Sequence, residues 1–195
     1  HIGMSDTTVY GLFAMRARAQ PAALAIVEGD RRFTYGALLR EVDRFSASLL
    51  GMGVVRGDRI AILSENRWEY LAVQLACARI GAIAACQNWR LARPELQHCI
   101  ALVDPVLVLA SARYLADAQA AATGRTLLAI ETLGANNNER ENGQATGQAD
   151  DGLLIIYTSG TTGLPKAALI GQRAEIARMC VLRQDLGIAG TASYV

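Results

Sequence analysis

Lysine is almost absent from this chain of 195 residues. Lys166 is the only lysine among nineteen basic residues, and all the others are arginine. The formal net charge is +1, so the overall charge gives no reason to expect a nucleic acid or an anionic membrane as partner. Any anion that this protein binds must therefore be met by a local arrangement of residues.

Histidine is scarce, and no two cysteines have the spacing of a metal-binding or redox motif. His1 precedes Met4 in a start that is typical of an expression-tag remainder, so residues 1–4 are set aside and His98 is left alone. One remaining histidine is too few to indicate a histidine-dependent triad or a zinc site, and we expect His98 to have a structural role. The cysteines lack C-x-x-C spacing, which favours buried thiols over a metal site or disulfides. They are Cys77, Cys86, Cys99 and Cys180.

No apolar run is long enough to span a bilayer. The most apolar stretch is Leu71–Cys86, and Gln74 and Arg79 interrupt it. No apolar segment follows basic residues at the start, so we expect no secretory signal and a cytoplasmic protein. Hydrophobic residues make up 52% of the chain and charged residues 19%, which is enough apolar material for a substantial buried core.

Helix and strand patterns alternate along the first two thirds of the chain. A helix before Pro21 and a hairpin around "EGD" come first. Apolar strands such as "DRIAIL", "AIAACQN", "PVLVLA" and "TLLAI" then alternate with helices. Continuous apolar strands are typical of parallel sheets covered on both faces, so we predict an α/β fold with a mostly parallel sheet layered with helices. The predicted N-caps are Thr34, Asn66 and Ser111, and Gly81 is a predicted helix end.

The composition changes at Gly134. The segment 134–150 is rich in Asn, Gly, Gln and acidic residues and lacks apolar periodicity, which predicts a mobile loop. We therefore predict an α/β subdomain at 5–133, the mobile loop at 134–150, and a further part at 151–195. That further part contains an apolar strand, a glycine-rich loop and a following helix, and we interpret it as the start of the next subdomain.

The glycine-rich loop "TSGTTGLPK" leaves the apolar strand "GLLIIYTS". Glycine lets a backbone approach an anion closely, and hydroxyls can donate to phosphate or coordinate a divalent cation. A lysine ammonium is a mobile charge that can follow phosphates as they part, whereas arginine is a planar fork. We expect the phosphates to be contacted by Thr158, Ser159, Gly160, Thr161, Thr162, Gly163 and Lys166.

Two better-known loop motifs are excluded here. The pattern G-x-x-x-x-G-K-[ST] fails because Gly160 and Gly163 are three residues apart and Ala167 follows Lys166. The nucleophile elbow G-x-S-x-G is absent around Ser159. An ordinary surface hairpin uses the same residue types and is the alternative. The strongly apolar strand before the loop and the density of glycine, hydroxyl and lysine favour a phosphate site.

The segment "IIYTSGTTGLPKAA" resembles the phosphate-binding signature of the adenylate-forming, AMP-binding enzymes, which include acyl-CoA synthetases, peptide-synthetase adenylation domains and luciferase-like proteins. The stretch from "RRFTYGALL" to "QNWRLARPEL" is similar to the N-terminal region of acyl-CoA ligases, and the resemblance covers about residues 20 to 190. "TSGTTG" and "QNWRLARPEL" favour acyl-CoA ligases over peptide-synthetase domains. The resemblance implies the N-terminal portion of the large domain of the acyl-CoA synthetase fold.

The resemblance also implies a reaction. A carboxylic acid, with a fatty acid favoured, and Mg-ATP give an acyl-adenylate and pyrophosphate, and a CoA thiol then forms the thioester and releases AMP. ATP, magnesium and CoA are the implied cofactors, and the hydroxyl of Thr158 is the implied contact with magnesium. The alternatives are an adenylating enzyme that loads a carrier protein and a non-catalytic nucleotide-binding module.

The chain departs from the family pattern in two residues and in length. Ala167 stands where the family usually has another glycine, and Gln172 stands where a histidine is frequent. The family's acyl-pocket, ribose, magnesium-acid and catalytic-lysine motifs are missing from this chain, so we expect an N-terminal fragment that holds no catalytic residue and does not complete adenylation alone. A fragment exposes apolar faces, which predicts a tendency toward a homodimer.

Overall fold

A computed structural model describes residues 7–135, 144–159 and 163–185 and their side chains as far as Arg178. The helices are α1 (Val9–Ala19), α2 (Tyr35–Gly51), α3 (Trp68–Ile80), α4 (Arg93–Val103), α5 (Leu115–Ala121) and α6 (Gln172–Asp185). The strands are β1 (Leu24–Glu28), β2 (Arg31–Thr34), β3 (Arg59–Leu63), β4 (Ile83–Cys86), β5 (Leu107–Ala110), β6 (Leu127–Ala129), β7 (Gly152–Thr158) and β8 (Lys166–Gly171).

The strands of the described residues form a hairpin and one larger sheet. The hairpin pairs β1 with β2, and the six-stranded sheet has the order β6-β5-β3-β4-β7-β8. All neighbours in that sheet are parallel except β7 and β8, which are antiparallel. The prediction of an α/β fold with a mostly parallel sheet is therefore confirmed.

Helices cover both faces of the sheet, as the continuous apolar strands require. Strand β3 shows this directly, because its successive side chains enter two different clusters. Ile60 and Ile62 pack in the cluster that includes residues of α1, α2 and α3. Ala61 and Leu63 pack in the cluster that includes residues of α4 and α5. Each of these four side chains is at most 1% exposed.

The helix ends test the predicted caps. Thr34 accepts a hydrogen bond from the backbone N–H of Ala37 at 3.1 Å and caps α2 as predicted, and Gly81 ends α3 with a φ of 79°. The prediction for Asn66 is wrong, because Arg67 occupies the N-cap position and makes no side-chain capping bond.

A carboxylate from the hairpin replaces the missing local cap of α3. Glu28 Oε1 accepts a hydrogen bond from the backbone N–H of Trp68 at 2.8 Å. A negative charge at a helix N-terminus is favourable because it meets the unpaired N–H groups and the positive end of the helix dipole. This cap joins residues 40 positions apart, so local sequence could not reveal it.

Ser111 is also not the predicted side-chain cap. A short 3₁₀ turn, Ala112–Tyr114, separates it from α5. Its hydroxyl donates instead to Glu65 Oε2 at 2.6 Å, and the backbone N–H of Ala112 donates to the carboxylate of Glu131 at 3.0 Å.

The connection before β7 is described only from residue 144 onward. There the backbone N–H groups of Thr146 and Gly147 both donate to the carbonyl of Arg79, at 2.9 Å and 2.8 Å. This part of the connection is tied to the end of α3. The mobility predicted for 134–150 stays a prediction, and residues 136–143 lie outside the described residues.

Strand β8 is an element that the sequence did not predict. It lies between the glycine-rich loop and α6, whereas we expected the helix to follow the loop. The predicted domain boundaries stay a prediction, but β7 and β8 share one sheet with β3–β6. The change of composition at Gly134 therefore marks a connection within a sheet.

The described residues also bear on the thiols and on the membrane. Cys77, Cys86 and Cys99 are free thiols, the first and last of them buried, while the side chain of Cys180 lies outside the described residues. In the same part of the chain, no helix has the length and apolarity needed to cross a bilayer.

Candidate functional site

The glycine-rich loop joins two antiparallel strands at the carboxyl end of β7. Thr158 is the last residue of β7, Lys166 is the first of β8, and the two are paired directly opposite each other. Opposite residues of an antiparallel pair share one face of the sheet, with Cα atoms about 4.5–5.5 Å apart. The fold therefore places one hydroxyl and one ammonium side by side at the mouth of the loop.

The described loop residues face solvent. Thr158, Ser159, Gly163 and Lys166 are all exposed. Gly163 has a φ of 95°, and a Cβ built there would meet nothing within 4 Å. Its glycine is therefore required by the backbone conformation and not by lack of space. Three of the predicted contacts lie outside the described residues: Gly160, Thr161 and Thr162.

The charge of Lys166 is available for a ligand. No ion pair joins Lys166 to any residue that the structure describes. Of the basic residues near the sheet's edge, Arg173 by contrast binds Asp150 at 2.7 Å. Within the described part of the chain, the one lysine thus has no ion-pair partner and lies beside a hydroxyl, where it can bind an anion.

Helix α4 and the β4–α4 connection support the strand that leads into the loop. The hydroxyl of Tyr157 donates to the carbonyl of Cys99 at 3.0 Å and accepts from Gln87 Nε2 at 2.8 Å. Gln87 is only 4% exposed, and its Nε2 also donates to the carbonyl of Ala85 at 3.0 Å. Burial raises the pKa of Tyr157 to about 12, so the phenol remains a neutral donor at physiological pH.

The same helix contacts the strand that leaves the loop. His98 Nε2 lies 3.1 Å from the carbonyl oxygen of Pro165. The expected structural role of His98 thus involves the candidate loop itself. No local pattern could reveal this contact, because His98 and Pro165 are 67 residues apart.

The two departures from the family pattern have plain structural accounts. Ala167 lies within β8 opposite Tyr157, and it has no positive φ, so the strand does not need glycine there. Gln172 is fully buried. Its Oε1 accepts from the backbone N–H of Val9 at 3.0 Å and its Nε2 donates to the carbonyl of Ala78 at 3.2 Å, which joins α1, α3 and α6.

Few side chains at this site could coordinate a magnesium ion. Among the described residues, no set of three or more His, Cys, Asp or Glu side chains is arranged to hold a metal ion. Magnesium binds oxygen ligands, keeps several waters and is commonly held through substrate phosphates. The exposed hydroxyl of Thr158 fits such an ion as a single ligand.

Comparison with known proteins places the chain in a family. The model of the family described as AMP-binding enzyme matches residues 13–192, which is most of the chain. The chain therefore belongs to the AMP-binding enzyme family and corresponds to the N-terminal portion of its adenylate-forming acid ligases.

Curated relatives include ligases with two kinds of thiol acceptor in their names. The feruloyl-CoA synthase of an Amycolatopsis species is 36% identical over 155 residues, which cover 80% of this chain and 31% of that protein. The fatty acid–[acyl-carrier-protein] ligase MmaC of Mycobacterium marinum is 34% identical over 197 residues, covering 93% of this chain and 37% of that protein. The chain thus spans about a third of the length of these relatives.

Solved structures agree with the fold. The inhibitor-bound N-terminal domain of FACL13 from Mycobacterium tuberculosis matches with a TM-score of 0.77 and 26% identity, over 85% of this chain and 44% of that one. The chain is therefore similar to part of an N-terminal domain that has been crystallised on its own.

Proposed function

We propose that this chain is the phosphate-binding part of an adenylate-forming acid–thiol ligase. The enzyme activates a carboxylic acid with Mg-ATP as an acyl-adenylate, releases pyrophosphate, and transfers the acyl group to a thiol. The observation that carries the proposal is the pairing of Thr158 with Lys166 across a glycine-rich turn at the carboxyl end of β7. In open α/β sheets ligands bind at that end of the strands.

The residues have separable tasks in this reaction. The ammonium of Lys166 binds the β- and γ-phosphates and offsets the negative charge that develops on the departing pyrophosphate. The exposed hydroxyls of Thr158 and Ser159 donate to phosphate oxygens, and that of Thr158 is also the proposed ligand to magnesium. Gly160, Thr161, Thr162 and Gly163 complete the loop, whose backbone N–H groups are the proposed phosphate donors.

The identities of the carboxylic acid substrate and of the thiol acceptor are more specific proposals. A fatty acid transferred to CoA is the leading assignment, in keeping with the acyl-CoA ligase resemblance of "QNWRLARPEL". Transfer to a carrier-protein thiol is the second, and the 34% identity to the ligase MmaC supports it. The phosphate loop acts before the acceptor arrives, so it serves both assignments equally.

Carboxylate-dependent exchange of pyrophosphate into ATP tests the adenylation step. A longer ligase that contains this segment is expected to catalyse the exchange with a panel of fatty and aromatic acids. The 195-residue chain alone is expected to show none, because it supplies phosphate contacts but no catalytic residue. Exchange by the 195-residue chain contradicts the assignment of this segment as incomplete.

The acceptor is tested with the same longer enzyme. Thioester formation with CoA but not with a phosphopantetheinylated carrier protein is the expected result, and the reverse preference supports the carrier-protein assignment. Nucleotide binding without exchange for any acid of the panel contradicts the ligase assignment and supports a non-catalytic nucleotide-binding module.

A further inference from the structure

Helix α4 contacts both strands that flank the loop, through two consecutive residues. His98 Nε2 lies 3.1 Å from the carbonyl oxygen of Pro165, just before β8. The carbonyl of Cys99 accepts a hydrogen bond of 3.0 Å from the hydroxyl of Tyr157, one residue before Thr158. The mouth of the loop is therefore fixed to one rigid element from both sides.

The chemistry of the His98 contact defines which atom carries the proton. A carbonyl oxygen only accepts hydrogen bonds, so Nε2 of His98 is the protonated donor. Both the neutral Nε2–H tautomer and the imidazolium supply that donor. The bond therefore depends on the imidazole being present and correctly turned, and not on its charge.

The bond acts directly on the lysine. The carbonyl of Pro165 and the backbone nitrogen of Lys166 belong to the same planar peptide unit. A donor that fixes the carbonyl oxygen thus also fixes the plane from which the Lys166 side chain departs. Lys166 itself is exposed and makes no ion pair with any described residue, so no ion pair in that part of the chain holds its side chain in place.

We propose that His98 is a positioning residue for the phosphate loop: its Nε2–H holds the Pro165–Lys166 peptide so that the Lys166 ammonium is aimed at the phosphates before ATP binds. The inference rests on the proposed function of the loop. Preorganised contacts lower the cost of ordering a long side chain when a ligand binds. His98 is partly buried on α4 where it contacts Pro165, which fits this role.

The test is a titration of the 195-residue chain with Mg-ATP, followed by the backbone amide signals of Gly163 and Lys166. The variant His98→Phe keeps a ring but removes the donor, and it is expected to raise the dissociation constant about fivefold to tenfold, the size of one lost hydrogen bond. The variant His98→Gln places an amide donor near the position of Nε2 and is expected to stay within about twofold of the original chain.

Gln97 offers a matched control on the same helix. Its Nε2 donates to the carbonyl of Ala120 at 3.3 Å, so Gln97→Leu removes a similar bond that does not touch the loop. Its Mg-ATP affinity is expected to be unchanged. Urea unfolding of all variants separates lost stability from lost positioning, because a merely structural role of His98 lowers stability and leaves the affinity alone.

The outcomes distinguish this inference from the proposed function. Weakened binding in Lys166→Ala together with unchanged binding in His98→Phe overturns the positioning role and leaves the phosphate site intact. Loop amide signals that do not move with Mg-ATP in the original chain contradict the proposed function, and the positioning role is then overturned as well.

Discussion

Lys166 is the single residue on which the chemistry of the loop depends most. It is exposed, has no ion pair among the described residues, and lies opposite the hydroxyl of Thr158. Lysine and arginine differ at such a site, because the guanidinium is a planar fork suited to one bidentate pose and the ammonium is a compact charge on a flexible stem. A loop that must hold phosphates while a bond between them and the nucleotide breaks favours the flexible charge.

The variant Lys166→Arg separates charge from mobility. We expect its Mg-ATP affinity to stay within about threefold of the original, because the charge is kept. In the longer ligase, the pyrophosphate exchange rate is expected to fall about tenfold, since the fixed fork follows the departing pyrophosphate poorly. The amide titration measures the Mg-ATP affinity, and steady-state exchange kinetics measure the exchange rate. An unchanged exchange rate contradicts the argument from mobility.

At the scale of elements, the end of α3 binds the chain both before and after the loop. It receives the backbone N–H groups of Thr146 and Gly147 at the carbonyl of Arg79, and the amide of Gln172 at the carbonyl of Ala78. The approach is close: a Cβ built at Gly147 would lie 2.1 Å from the carbonyl oxygen of Ala78. This contact sets where the connection meets the sheet just before β7 begins.

The variant Gly147→Ala tests that contact. The added methyl group collides with backbone, which cannot rotate away as a side chain can, so we expect a loss of about 1–3 kcal/mol in the free energy of unfolding. Urea denaturation measures it. Gly51→Ala is the control, because Gly51 lies in α2 with nothing within 4 Å of a built Cβ, and it should not destabilise. Equal effects of the two substitutions would falsify the close approach.

At the scale of the whole molecule, the sheet could be predicted from the sequence. Strands β3 to β6 are continuous apolar runs separated by helices, and burial on both faces follows from that pattern. Strand β8 could not be predicted in this way, because "KAALIG" is short and alanine-rich, and three of its residues are exposed. Only its pairing with β7 gives it strand structure.

The residue types of the site could be predicted from the sequence, but the long-range contacts that hold the site in place could not. Hydroxyls, glycines and Lys166 are adjacent in sequence, so the loop is visible before folding. The bond from His98 to Pro165 and the cap from Glu28 to Trp68 join distant residues. They arise from the packing of elements, and the sequence around a single histidine or glutamate does not indicate which distant residue it will contact.

The binding of Mg-ATP to the 195-residue chain, compared with Lys166→Ala, tests the central claim most directly. We predict amide shifts at Gly163 and Lys166 in the original chain and a dissociation constant about tenfold or more higher in Lys166→Ala, since a charge-assisted contact to phosphate is lost. Equal affinities, or shifts confined to residues remote from the β7–β8 loop, would contradict the claim that this loop binds the phosphates of ATP.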